Sequence, residues 1–271
     1  MPERRRRRFL SGGVPEDEWA CHDRPAGRSM VEQARFRLAQ SGGGMSVIID
    51  PRATALVMVD MQNDFCHADG FYARAAERIA PLGLDPQLVI DSIPPMAALL
   101  EAARAAGLFI VHTRIERDDA PDAVHLIHHI VAQTFGAVAD APGGPALMPG
   151  TWGAETHEQL APQAGEHIVT KRSFSAFYGT DLETALRRRA IRTVILAGTV
   201  TYACVLHTAF DANVRDLDVI VASDGAASWA PDLQAPTLRI VDLILGGTAA
   251  TGEIIEALAL AARGGTDAAG A

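Results

Sequence analysis

The stretch Thr193–Arg215, TVILAGTVTYACVLHTAFDANVR, changes its periodicity once, at Gly198. Thr193 to Ala197 is a short β-branched and apolar run, the pattern of a buried strand. From Thr201 the apolar residues Val205, Ala209, Ala212 and Val214 recur at roughly helical spacing. The pattern predicts a strand, a tight turn and a helix, with Cys204 in the first turn of that helix. A thiol there feels the positive end of the helix dipole and several N–H groups without intrahelical partners, and both favour the thiolate. The same N–H groups suit an oxyanion. Taken alone, the stretch fits two roles for Cys204: a nucleophile, or a small buried core residue.

Working outward, the strand half of this pattern recurs. Thr54–Asp60, Leu108–His112, His167–Lys171 and Asp218–Ala222 read as further strands, and Gly247–Ala249 as a short edge strand. Between them, 91–106, 181–189, 233–245 and 251–263 read as helices, and Ser223–Asp232 as a polar loop. Strands apolar throughout, alternating with helices, imply an α/β fold. The expectation is a three-layer α-β-α sandwich around a mainly parallel, six-stranded, Rossmann-like sheet. Such sheets bind ligands beyond the carboxyl ends of their strands. Asp60, Lys171 and Cys204 each fall at or just past the end of a different strand.

Composition narrows the class. The chain has 271 residues, 48% of them hydrophobic, enough for one large domain. Its 24 Lys+Arg against 33 Asp+Glu give a net charge of −9, which argues against nucleic acid as the main partner. No apolar run approaches the roughly 20 residues needed to span a bilayer, so no membrane partner is expected. Three scattered cysteines do not make a disulfide framework, and a cytoplasmic location fits them. Residues 1–44 differ in character: Arg4–Arg8 is a run of arginines and Ser41–Gly44 a Gly/Ser linker. They read as a poorly ordered N-terminal extension, with the working domain at 45–271.

An acid, a base and a thiol meeting at one sheet edge are what amide cleavage by a cysteine needs. The carboxylate of Asp60 would take the thiol proton and pass it to the leaving amine, while Lys171 balances charge. At about 4 Å such a pair interacts by roughly 4 kcal/mol at an effective dielectric of 20. A Cys–His scheme using His207 competes, but His207 lies within one turn of Cys204 on the same helix.

The segments ALVMVDMQNDF, KRSFSAFYGTDLETALR, GTVTYACVLHTAFDA and ASDGAAS together resemble the isochorismatase-like cysteine hydrolase superfamily, over about residues 50 to 262. The resemblance is closest to members that cleave small amides and ureido compounds, such as ureidoacrylate and biuret hydrolases and N-carbamoyl amidases. It implies a catalytic triad of Asp60, Lys171 and Cys204. It also implies a cis peptide at Val200–Thr201 and an oxyanion hole made by the backbone N–H groups of Thr201 and Cys204. The implied reaction is hydrolysis of a C–N bond through a thioester, without a cofactor.

Departures from relatives bear on the substrate. The second strand ends His112-Thr113-Arg114, without the metal-binding Asp-x-His that the resemblance associates with nicotinamidases, so no metal is expected. His125, His128 and His129 sit in a polar segment and read as a solvated face. Members that open the isochorismate vinyl ether generally lack the cysteine. Gln62, Phe65, Arg114, Phe177 and Tyr202 lie in or beside the motif loops as candidate pocket residues. Arg114 fits either a substrate carboxylate or an acid in the following loop. The expected partner is a small amide or ureido molecule. A homo-oligomer is also expected, from the family and from the apolar content of residues 120–149. Two further readings stay open: a non-catalytic binding or assembly member of the same fold, and a hydrolase of nicotinamide-like or isochorismate-like substrates.

Overall fold

The computed structural model describes residues 49–117 and 146–267. The proposed extension 1–44, the three histidines at 125, 128 and 129, and nearly all of the apolar segment 120–149 lie outside those residues. Six strands form one sheet: β1 (Thr54–Val59), β2 (Phe109–Ile115), β3 (His167–Lys171), β4 (Thr193–Thr199), β5 (Asp218–Ala227) and β6 (Gly247–Ala249). Their order is β3-β2-β1-β4-β5-β6, and every pairing is parallel.

The helices are α1 (Ile93–Ala105), α2 (Leu182–Arg188), α3 (Leu206–Asn213), α4 (Pro231–Ile240) and α5 (Thr251–Asp267), with several single turns between them. Strand side chains alternate across the sheet. Val57, Val59, Val111, Val169, Leu196 and Val221 share one core with Leu182 and Leu186 of α2 and Ala209 and Ala212 of α3. Leu56, Met58 and Ile110 point the other way and are also buried. On that side α1 and α5 pack on each other and on β5. A parallel sheet covered on both faces explains why the strands read as unbroken apolar runs.

From β1 the order steps outward to β2 and β3 on one side, and from β4 to β5 and β6 on the other. The crevice between the carboxyl ends of β1 and β4 is thus the topological switch point, where open α/β sheets bind ligands. Gly198 makes this edge possible. It pairs with Val59 in register, has φ +122°, and a Cβ there would lie 2.2 Å from the Val59 carbonyl oxygen. No side chain fits, so β1 and β4 approach closely one residue before Asp60.

Three strands run on past the ends expected from the sequence. β2 continues past His112 to Ile115, because the polar Thr113 is buried on the sheet face that carries Asp60. β4 runs on to Thr199. β5 continues through the expected polar loop to Ala227. Its pairing with β4 jumps from Leu196↔Val221 to Gly198↔Ala226, and the extra residues bulge out. Exposed Asp224, in this bulge, accepts hydrogen bonds from the Thr251 N–H (2.6 Å) and hydroxyl (2.9 Å) at the start of α5.

Candidate active site

Asp60 follows β1 in the left-handed region, with φ +52°. Asp tolerates that conformation better than most residues, and a residue held there is a pointer to a functional constraint. The turn puts the carboxylate beside β2. The Thr113 hydroxyl donates to Asp60 Oδ1 at 2.5 Å and accepts from the Asp60 N–H at 3.0 Å. Oδ2 faces the Lys171 ammonium at 2.7 Å, with both side chains fully buried.

Lys171 ends β3, two strands from β1 and so roughly 10 Å away across the sheet. A long, straight stem carrying a point charge spans that gap. Its Nζ donates to the carbonyls of Ser173 (2.9 Å) and Phe174 (3.0 Å) and lies 3.4 Å from Cys204 Sγ. Burial alone would push the lysine toward neutrality, but the Asp60 carboxylate, with the contact to Cys204, outweighs it and holds the ammonium above its ordinary range.

Cys204 lies not in an α-turn but in a wider π-helical turn, Thr201–Val205, which leads into α3. The residue is 5% exposed. Burial raises its proton affinity well above the usual thiol range. Lys171 pulls it down, and Asp60 raises it through charge and a hydrogen bond. Burial of the sulfur thus opposes the thiolate that the helix dipole alone favours. The non-proline cis peptide is at Thr199–Val200, one bond earlier than expected; it falls at the first bond after β4 ends. Thr201 is fully buried in the same turn as Cys204, and its hydroxyl finds no hydrogen-bond partner among the described residues.

The segment after Asp60 fastens the surrounding loops. Gln62 is completely buried. Its amide donates to the carbonyls of Ile115 (3.0 Å) and Ala154 (2.9 Å) and accepts the Ile115 N–H (2.8 Å). Asn63 donates to the Trp152 carbonyl at 2.8 Å. Asp64 accepts the N–H groups of Phe71 (3.2 Å) and Leu147 (2.7 Å). Gly153 packs against that carboxylate where a Cβ would come within 2.3 Å.

The remaining candidates are placed unevenly. Phe65 is half-buried and stacks on Tyr72 at 5.4 Å, and Trp229 lies 4.2 Å from Tyr72. Tyr202 is half-buried next to the site, and burial pushes its hydroxyl up to about 12. Tyr72 is likewise raised, by burial and then by the Asp64 carboxylate. Phe177 belongs to the core, with the Arg215 guanidinium 4.8 Å above its ring. Arg114 alternates away from Thr113 along β2. It pairs with Glu155 at 3.3 Å and bonds the Thr156 hydroxyl at 3.2 Å, the loop-acid alternative. His207 is exposed and donates from Nδ1 to the Ala203 carbonyl at 2.9 Å, back along its own helix. Among the described residues no three His, Cys, Asp or Glu side chains gather as a metal site. Thr113, Tyr72 and Trp229 were not singled out from the sequence. Only Thr113 carried a signal there, a β-branched hydroxyl two positions beyond a buried strand residue.

Three comparisons bear on this arrangement. The ureidoacrylate amidohydrolase RutB of Methylorubrum extorquens is 30% identical over 221 residues, covering 74% of this chain and 80% of that protein. A cysteine hydrolase from Pseudomonas syringae superimposes with a TM-score of 0.65 at 30% identity, over 79% of this chain and 96% of its own. The N-carbamoylsarcosine amidase of Thermoplasma acidophilum does so with a TM-score of 0.55 at 26% identity, over 73% and 96%. The isochorismatase domain model matches residues 54–252, and with it the chain belongs to the isochorismatase family.

Proposed function

We propose that this chain is a cysteine amidohydrolase that cleaves the C–N bond of a small amide, ureido or N-carbamoyl compound through a thioester. One observation carries the reading: a buried ammonium that contacts both a buried carboxylate and a buried thiol at the switch point of the sheet. The names of the similar amidohydrolases point to the same substrate class.

In this reading Cys204 rests as a thiol and needs a base in contact. Asp60 takes the proton as sulfur attacks the substrate carbonyl carbon, so the charge moves from the carboxylate to the developing oxyanion. The N–H groups of Thr201 and Cys204 receive that oxyanion. Asp60 then gives its proton to the leaving nitrogen, and the C–N bond breaks to leave a thioester. Asp60 next accepts a proton from water attacking the thioester and returns it to the departing sulfur. Lys171 stays an ammonium throughout and keeps the buried charge balanced. Phe65 and Tyr202 form a wall for the substrate, while Gln62 and Arg114 hold the loops around it. Release of ammonia from a panel of biuret, ureidoacrylate, N-carbamoyl amino acids, maleamate and nicotinamide tests the reading. Turnover of maleamate or of a ureido or N-carbamoyl member supports it. Turnover of nicotinamide alone, or of none, contradicts it.

A further inference from the structure

Cys204, Thr208, Asp211 and Arg215 fall at i, i+4, i+7 and i+11, so they line one face of the helical segment that carries the thiol. That face meets the loop after β3. The Thr208 hydroxyl donates to the Cys204 carbonyl at 2.7 Å and accepts the Ala176 N–H at 3.1 Å. One turn on, the Ser175 hydroxyl donates to the Asp211 carboxylate. Asp211 is held from its other oxygen by Arg215 (3.0 Å), and Arg215 by Glu183 of α2 (2.9 Å). Ser175 Oγ also accepts the Phe177 N–H at 3.1 Å.

The loop tied down in this way is the one whose Ser173 and Phe174 carbonyls hold the Lys171 ammonium. The contacts close a circuit. Cys204 Sγ meets Lys171, Lys171 meets the 173–174 carbonyls, and the backbone runs on to Ala176. The Ala176 N–H then returns through Thr208 to the Cys204 carbonyl. A helical threonine bonding the carbonyl four residues back is common. A buried one that also receives an N–H from another element does more, because it sets the distance between two parts of the chain.

We infer that Thr208 is a positioning residue for catalysis, with Ser175 and Asp211 as an outer tie: it fixes the Lys171 ammonium relative to the Cys204 sulfur. The inference rests on the proposed cysteine mechanism and deepens it.

The test compares Thr208→Val, which keeps shape and loses both hydrogen bonds, with Thr208→Ser, which keeps both. Thermal melting checks the fold, steady-state kinetics separate kcat from KM, and iodoacetamide labelling mapped by mass spectrometry reads thiol reactivity. Misplacement by about 1 Å costs on the order of 100-fold in rate. The expected result is a folded Thr208→Val with kcat down roughly 100-fold, KM little changed and Cys204 labelling slowed in parallel, while Thr208→Ser stays close to the parent. A folded Thr208→Val with parental kcat and labelling overturns the inference, as does a Thr208→Ser as slow as the valine variant. Should Thr208→Val fail to fold, Ser175→Ala decides at the outer tie: a several-fold loss of kcat at constant KM supports the inference and a parental kcat overturns it. Failure of the cysteine mechanism itself reads differently, as turnover surviving in Cys204→Ala.

Discussion

Thr113 and Asp60 exchange two hydrogen bonds: the threonine hydroxyl donates to the carboxylate at 2.5 Å and accepts the aspartate's own N–H at 3.0 Å. One oxygen of the proposed base is thereby fixed from β2, leaving the other to Lys171. A hydrogen bond to a charged group contributes about 1.5–3 kcal/mol, which corresponds to roughly 10- to 100-fold in rate if it acts in the transition state. Thr113→Val is expected to lower kcat by that range, and Thr113→Ser to restore it. Equal kinetics for parent and Thr113→Val would show that Asp60 needs no such support.

Lys171 and Asp60 should be coupled in stability as well as in chemistry. Removing one partner of a buried pair typically costs about 3–5 kcal/mol, because the other charge is left without compensation. Urea unfolding of Lys171→Met should show a loss of that order, and the double variant Asp60→Asn/Lys171→Met should recover part of it. A double variant as unstable as the sum of the two single losses would mean that the pair is not coupled.

On the opposite face of the sheet, Glu166 accepts from Arg104 (2.7 and 2.9 Å), the Gln163 N–H (2.8 Å) and His112 Nε2 (2.8 Å). Burial pushes its carboxyl up, but Arg104, the N–H and His112 outweigh it and bring it down to about 2. A carboxyl lowered on folding contributes stability above its unfolded range and loses it as pH falls from about 4.5 toward 2. Burial also lowers His112, so the unfolded chain takes up a proton more readily below about 6.5. Both groups therefore make stability fall with acid. The gap in melting temperature between parent and Glu166→Gln should narrow between pH 5 and 3, on the order of the window just derived. A gap that stays constant over that window would contradict this assignment.

The first 44 residues are expected to be dispensable for turnover, since the family match begins at residue 54. A chain starting at Met45 should fold and keep its rate. A large loss of kcat would assign the extension a part in the active site.

Legibility of the sequence followed the physics of each element. Runs such as Thr54–Val59 and Thr193–Ala197 announced themselves because a doubly covered parallel sheet leaves no polar position to interrupt them. The ends misled for the opposite reason. Thr113 and Arg114 look like the start of a loop, yet each has a partner far along the chain, Asp60 and Glu155. Ser223 and Asp224 look like a turn, but Asp224 is bonded to the start of α5, 27 residues on. That Asp60, Lys171 and Cys204 come together was legible because strand ends converge in this fold. The burial of the thiol was not, because it depends on packing from every side rather than on the helix it begins.

The most direct measurement is ammonia release by Cys204→Ala beside the parent chain, on whichever member of the amide and ureido panel the parent turns over. Nucleophile, base and ammonium act as one unit in this account, so losing the sulfur should cost nearly the whole rate rather than a share. The predicted result is no detectable turnover by a folded Cys204→Ala that still binds the substrate. Appreciable turnover by that variant would mean that water or another residue attacks the carbonyl, and the cysteine mechanism would be wrong.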